Sequence, residues 1–271
     1  MSSELHLEIA SNLKIAEKTC IATGKISEAN PQLEIKDAYK IQLINIEKEV
    51  QGGNNITGKK IGLTSQAVQN MLGVNQPDFG HLLKSMEVQN GVVNRGSLLQ
   101  PKVEGEIAFV LKEDISGPNA TLEDVLNATD YVSAAIEIVD SRIENWKIGI
   151  IDTVSDNASS GMYILGEKKI DPKKVDLKTV EMNLFMNGEL INSGKGTAVL
   201  GDPVYCVVWL ANTLHEYGVT LKKGDVILSG ALSAMIAAEA GDEFKASFTE
   251  LGDVTVKFES EKEKEIWEKS K

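Results

Sequence analysis

Cysteine is scarce: Cys20 and Cys206 are the only two in 271 residues. That is too few for a disulfide framework or a cysteine-rich metal centre. Each sits in an apolar pattern of helical spacing and reads as a buried thiol. Such thiols suit a reducing compartment, so the expected location is the cytoplasm. Histidine is nearly as sparse, with three, and neither His81 nor His215 has a partner at metal-ligand spacing, which argues against a histidine-based zinc site. His215 reads as a helix-surface residue. Basic charge is in deficit. Lys and Arg total 28 against 40 Asp and Glu, for a net charge of −12. General binding to nucleic acid or anionic lipid is therefore not expected, while a local basic site for a carboxylate substrate stays open. No run of about 18 apolar residues occurs, so no membrane span is expected. The start, Met1-Ser2-Ser3-Glu4, lacks the basic and apolar regions of a secretory signal.

What is present is ordinary globular texture, with 42% hydrophobic and 25% charged residues. Leu5, Ile9, Leu13, Ala16 and Cys20 predict a helix over 5–22, and Tyr39, Leu43, Ile46 and Val50 predict one face of a second over 35–50. Gly52-Gly53 ends it. Two helices bury too little surface to stand alone, so they are expected to pack on the rest as a cap spanning 1–57. Beyond residue 58, β-like runs alternate with turns: Val103–Leu111, Val132–Val139, Val180–Met186, Val226–Ser229, Glu243–Phe248 and Val254–Phe258. Asn187-Gly188, Gly224, Gly241-Asp242 and Gly252-Asp253 supply turn signals. Helices are expected near 65–72, after Thr121 with Asp124 as a capping partner, and after Asp202-Pro203 up to Gly218. The fold class is α+β, with a strand-dominated body over 58–258 and a charged Glu/Lys tail over 259–271.

The chemistry concentrates in Val103-Glu104-Gly105-Glu106-Ile107. In a strand, alternate residues share a face, so Glu104 and Glu106 point the same way with Cα atoms roughly 6.6 Å apart. Val103, Ile107 and Phe109 then face a core. Two acids on one face repel unless paired, and a hard cation removes that cost. Glu137, in Ala135-Ile136-Glu137-Ile138-Val139, has apolar residues on both sides. An ionised group there needs a partner or a metal. Three oxygen ligands on strands suit Mg²⁺ or Mn²⁺ better than Zn²⁺. By composition alone, an edge-strand solvent face for Glu104 and Glu106 and an internal ion pair for Glu137 remain open. Lys60 stands in an apolar, glycine-flanked stretch, Asp78 in the turn-like Gln76-Pro77-Asp78-Phe79-Gly80, and Ser160 in the polar loop Asp156–Gly161.

Taken in order, several stretches carry a family resemblance over roughly residues 5–258: Lys60-Ile-Gly-Leu-Thr-Ser65, Gln76-Pro-Asp-Phe-Gly80, Gln100-Pro-Lys-Val-Glu-Gly-Glu-Ile107, Glu137-Ile-Val-Asp-Ser-Arg142 with Trp146, Asp152–Gly161 and Val226-Ile-Leu-Ser-Gly230. The chain resembles the 2-oxopent-4-enoate (2-hydroxypenta-2,4-dienoate) hydratases of meta-cleavage pathways for aromatic compounds, within the fumarylacetoacetate hydrolase-like superfamily. The resemblance implies a catalytic body of layered, twisted sheets and a homo-oligomer. It implies Glu104, Glu106 and Glu137 as metal ligands for Mg²⁺ or Mn²⁺, and Lys60, Asp78 and Ser160 as active-site residues. Expected partners are a small 2-hydroxydienoate or 2-oxo acid and a complex with a related decarboxylase or a downstream aldolase. His81 and the tail from Glu259 depart from the family picture, and His81 stands close enough in sequence to Asp78 to bear on substrate detail. The competing activity is the sister 2-oxo-3-hexenedioate (4-oxalocrotonate) decarboxylase. A third reading is a non-catalytic partner subunit, which three retained acids and Lys60 argue against.

Overall fold

The computed structural model describes residues 3–72 and 74–259. The chain opens with three helices, α1 (Glu4–Thr19), α2 (Ile26–Ala29) and α3 (Ile35–Gln51). Ser3 caps α1 by accepting from the His6 amide at 3.2 Å. The helix then buries Ile9, Leu13 and Ala16, and Leu13 and Ile9 share a small core with Ile41, Ile44 and Ile143. Cys20 differs from the expectation of a buried thiol: it lies past the helix end at φ 52 and is exposed. The left-handed residue that stops the helix turns its side chain off the apolar face. Val50, in the last turn of α3, is likewise exposed.

The body starts with β1 (Ile56–Gly62), α4 (Gln66–Leu72), β2 (Asp78–Leu83), β3 (Val92–Asn94) and β4 (Pro101–Leu111). It continues through α5 (Leu122–Ala128), β5 (Thr129–Asp140), α6 (Ile150–Ser155) and β6 (Ser160–Leu165). The last third holds β7 (Glu181–Met186), β8 (Glu189–Lys195), α7 (Pro203–His215), β9 (Val226–Ala231), β10 (Ile236–Ala237), β11 (Glu243–Phe248) and β12 (Gly252–Glu259). The caps read from sequence are present. Thr121 and Asp124 form a capping box at α5, and the Asp202 side chain accepts from the Val204 amide at the start of α7. By length and composition 196–215 passes for a membrane-crossing segment. Only Pro203–His215 is α-helix, however, and its Cys206, Leu210 and Leu214 are buried in the main core.

One sheet runs β2-β1-β9-β4-β5-β6, with β10 paired to β4, and a second runs β3-β12-β11-β7-β8. The first sheet curls until its ends meet. Val88, just after β2, donates its amide to Tyr163 O on β6 at 2.8 Å, and Thr57 Oγ1 lies 3.1 Å from Tyr163 Oη. Its inner face carries Lys60, Glu104, Glu106 and Glu137 toward one end. Leu82, Ala108, Ala135, Tyr163 and Leu228 form an apolar plug toward the other. The outer face, with Ile107, Phe109, Ile136 and Ile138, packs in a larger core shared with α5, α7 and the second sheet. Alternation along β4 and β5 thus sorts acids from apolar groups onto opposite faces. Beyond Glu259, the charged tail lies outside the described residues.

Candidate metal centre

Strand register assembles the site. Glu104 on β4 stands directly opposite Glu137 on β5, and Glu106 opposite Ala135. Oxygen atoms of Glu104, Glu106 and Glu137 all lie within 4.8 Å of one another. Glu106 and Glu137 are buried, while Glu104 is partly exposed. Glu106 Oε2 accepts from the Gly230 amide at 2.7 Å. Both oxygens of Glu137 are buried without a hydrogen-bond donor. Lys60, on β1, places Nζ 3.3 Å from Glu137 Oε2, within ion-pair distance but outside hydrogen-bond geometry. It donates instead to Ala158 O at 3.0 Å.

Asp78 is not in a turn, as the sequence suggests. It is the first residue of β2, paired with Gly62. A β-carbon at Gly62 would lie 2.2 Å from Asp78 Oδ1 and 3.6 Å from Lys60 Nζ, so the missing side chain leaves the space that the Asp78 carboxyl occupies on the lysine's face of the sheet. Asp78 Oδ1 is a third buried carboxylate oxygen without a donor, and Thr153 Oγ1 reaches Oδ2 at 3.5 Å. Ser160 is adjacent rather than central: its hydroxyl donates to Asn157 O at 2.7 Å. His81 points away from the acids. It alternates with Gly80 on the outer face of β2 and faces Gln42.

Burial raises every acid here. Asp78 is pushed up to about 6 by desolvation, with Lys60 opposing and Glu137 adding to the rise. Desolvation lifts Glu104 to about 7, again against Lys60 and with Glu137. Glu106 rises well above the usual range through burial and then the charges of Glu137 and Glu104. Burial opposes the charge on Lys60, but Glu137 and Glu104 outweigh it and hold the ammonium above its ordinary value. Among the described residues, these four carboxyls face one close cation. A second, Lys102, lies at the rim on the Glu104 side of β4, its Nζ 4.4 Å from the centre of the Trp146 ring. A buried carboxylate without donors is costly unless a cation compensates it. Hard oxygen donors on rigid strands fit a divalent ion such as Mg²⁺ or Mn²⁺, so the donor set suits the metal expected from the sequence.

Sequence reasoning missed the supports of this site: Gln42, Thr153, Asn157, Lys102 and the Ala158 carbonyl. Gln42 carried a signal, since it lies three residues after Tyr39 and four before Ile46 on the apolar face of α3. Ala158 carried none, because a backbone carbonyl has no residue type.

The profile of the fumarylacetoacetate (FAA) hydrolase C-terminal family matches residues 71–259. A 2-hydroxyhexa-2,4-dienoate hydratase of Comamonas testosteroni is 46% identical over 236 residues, covering 86% of this chain and 89% of its own. A 2-keto-4-pentenoate hydratase of Paraburkholderia xenovorans is 43% identical over 261 residues, covering 96% and 97%. A solved 4-oxalocrotonate decarboxylase from Pseudomonas putida G7, complexed with magnesium and adipate, superposes with a TM-score of 0.92 at 37% identity, covering 95% of this chain and 98% of that one. With this fold, this acid cluster and these relatives, the chain belongs to the fumarylacetoacetate hydrolase family, in its hydratase and decarboxylase branch.

Proposed function

We propose that the chain is a divalent-metal-dependent hydro-lyase of meta-cleavage pathways that adds water to a short 2-hydroxy-2,4-dienoate. With the five-carbon substrate it converts 2-hydroxypenta-2,4-dienoate to 4-hydroxy-2-oxopentanoate. The observation that carries this reading is the convergence of Glu104, Glu106 and Glu137 with both Glu137 oxygens buried and undonated, in a chain 43–46% identical to two hydratases. Glu104, Glu106 and Glu137 hold the metal. When bound, Mg²⁺ or Mn²⁺ supplies Lewis acidity that favours negative charge on the substrate's C2 oxygen.

The chain's own groups do the rest. The overall change places a proton on C5, the hydroxyl of water on C4 and a proton on C3, while the C2 hydroxyl loses its proton and becomes a ketone. Lys60 stays charged and offsets the negative charge of the substrate's carboxylate and C2 oxygen. Asp78, near 6, is poised to take up and return a proton near neutral pH. Ser160 offers its hydroxyl to the substrate carboxylate by turning from Asn157 O. The curled sheet, plugged by Leu82, Ala108 and Leu228, keeps bulk water from the opposite end. Self-association, a complex with a decarboxylase or aldolase, and a cytoplasmic location belong to the same proposal. So does the division into a cap at 1–57, a catalytic domain at 58–258 and a tail at 259–271. The exposed Leu7 and Ile15 of α1 support self-association, which gel filtration tests.

The deciding experiment mixes the protein with Mg²⁺ or Mn²⁺ and freshly made 2-hydroxypenta-2,4-dienoate. Loss of the conjugated ultraviolet band with a product mass equal to substrate plus water is expected. Carbon dioxide release from 2-oxo-3-hexenedioate with no water addition to the dienoate would overturn the reading in favour of the decarboxylase.

A further inference from the structure

Beside β1, β4 and β5, two chain segments border the candidate metal centre. One is β2, which begins at Asp78. The other runs from Thr153 to Ser160 and supplies the Ala158 carbonyl to Lys60. They are tied together by a residue from neither. Gln42, buried on α3, donates Nε2 to Phe79 O at 3.1 Å and to Val154 O at 2.9 Å. Phe79 follows Asp78, and Val154 follows Thr153. Gln42 Oε1 stands 3.0 Å from His81 Nδ1.

The bonding pattern fixes the roles of the atoms. Both Nε2 partners are carbonyl oxygens, so the amide nitrogen must face them and Oε1 is left to accept. His81 therefore carries its proton on Nδ1 and donates. Burial, with Lys59 nearby, pushes the imidazole down to about 3, so it is neutral at physiological pH. The backbone of His81 is gripped in turn: its amide donates to Asn157 Oδ1 at 2.7 Å and its carbonyl accepts from Asn157 Nδ2 at 2.9 Å. Asn157, Ala158 and Ser159 have φ of 54°, 51° and 54°, three successive left-handed residues. L-residues adopt that run only where surrounding bonds impose it. Here the run aims Ala158 O at Lys60 and Asn157 O at the Ser160 hydroxyl.

We propose that Gln42, His81 and Asn157 are positioning residues forming one clamp, through which helix α3 holds β2 and the 153–160 segment in the alignment that Asp78 and Lys60 need. None of the three touches the carboxylate cluster. The inference deepens the functional reading above and rests on it for the roles of Lys60 and Asp78. It also makes the catalytic arrangement incomplete without the N-terminal helices. Ser27 adds a second tie from that region, donating its amide and hydroxyl to Asp152 at 2.9 and 2.7 Å.

Gln42→Met keeps the length and apolar packing of the side chain and removes all three bonds. At saturating Mg²⁺, kcat per folded molecule should fall about 10- to 100-fold, the scale of a small misplacement of reacting groups. KM should stay within about threefold, and the melting shift on adding Mg²⁺ should match the wild type, because the three glutamates are untouched. Amides of 78–81 and 153–160 should exchange with deuterium about tenfold faster or more, while those of β4 and β5 keep their protection. Combining Gln42→Met with Asn157→Ala should cost little more kcat than the worse single change, since both release one clamp. Unchanged kcat per folded molecule, or faster exchange spread evenly over the whole chain, overturns the proposal. If Gln42→Met does not fold, His81→Leu leaves the two carbonyl bonds of Gln42 in place, removes the third arm and is read by the same measurements. Should the wild-type protein turn over no dienoate, the functional reading fails, and the local exchange pattern alone decides for or against the clamp.

Discussion

At the scale of the residue, the chain concentrates its cost at Glu104, Glu106 and Glu137. Each carboxyl is raised by burial first, and each would be relieved by a cation that all three can reach. This gives Glu106→Gln a distinctive signature. The substitution keeps shape and an acceptor for the Gly230 amide but removes one charge from a repelling group. In metal-free buffer the variant should be as stable as the wild type or more so. Its melting shift on adding Mg²⁺ should shrink, and its turnover should recover only in part at high Mg²⁺. If Glu106 instead served an internal salt bridge, the same change would destabilise the metal-free protein by about 3–5 kcal/mol, and metal would affect neither protein. Melting curves with and without Mg²⁺, run beside a dienoate assay, separate the two outcomes.

At the scale of the element, β1 is the strand on which most depends. It carries Lys60 and sits between β2 and β9 in the curled sheet. Its contact with β9 is unusually close: a β-carbon at Gly58 would lie 1.8 Å from Val226 O, a backbone atom that cannot swing aside. Gly58→Ala should therefore force β1 and β9 apart, with a stability loss of about 1–3 kcal/mol, the range of an overpacked interior site. Because Lys60 lies two residues on and shares the inner face, kcat should fall as well, even well below the denaturation midpoint. A urea titration followed by turnover at low urea checks both, and an unchanged midpoint would show that the strands have slack. The element boundaries read from sequence agree with the structure where a cap or turn residue marks them, as at Thr121, Asp202 and Asn187-Gly188. No strand is read from the sequence at β1, β2, β3, β6, β8 or β10. In β2 every residue is buried, so no alternation survives to announce a strand, and the Pro77-Asp78 pair mimics a turn.

At the scale of the whole molecule, the helices at the start and the curled sheet are joined through buried polar groups, and one of them makes stability depend on pH. His81 is buried, with its imidazole pushed down to about 3 by desolvation and then by Lys59. An unfolded histidine titrates near 6.5. Above that value neither state binds the proton, and the contribution to stability is fully present. As pH falls from about 6.5 toward 3, the unfolded chain takes up a proton the native one refuses, and stability is lost, about 2 kcal/mol of it by pH 5. The raised acids of the candidate metal centre act in the opposite direction, so the comparison is made with Mg²⁺ present in both proteins. His81→Gln keeps a donor for Gln42 Oε1 and removes the titration. Its stability should fall less steeply than that of the wild type between pH 6.5 and 5, as read by chemical denaturation at several pH values. Parallel curves would mean that His81 is protonated in the folded protein.

The sequence by itself determined the α+β class, the helical start, most of the strands beyond residue 100, and the convergence of Glu104 and Glu106. These rest on local rules, namely a period of two in strands, caps at helix starts and glycine in left-handed turns. The motifs in their order carried the family, which the relatives at 43–46% identity then showed. Only the tertiary structure decided that Glu137 stands opposite Glu104, that Gly62 makes room for Asp78 beside Lys60, and that His81 turns from the acids to face Gln42. Each of these is a pairing between segments far apart in the chain. Register between strands and the choice of face are set by burial of the whole sheet, so no window of neighbouring residues contains them.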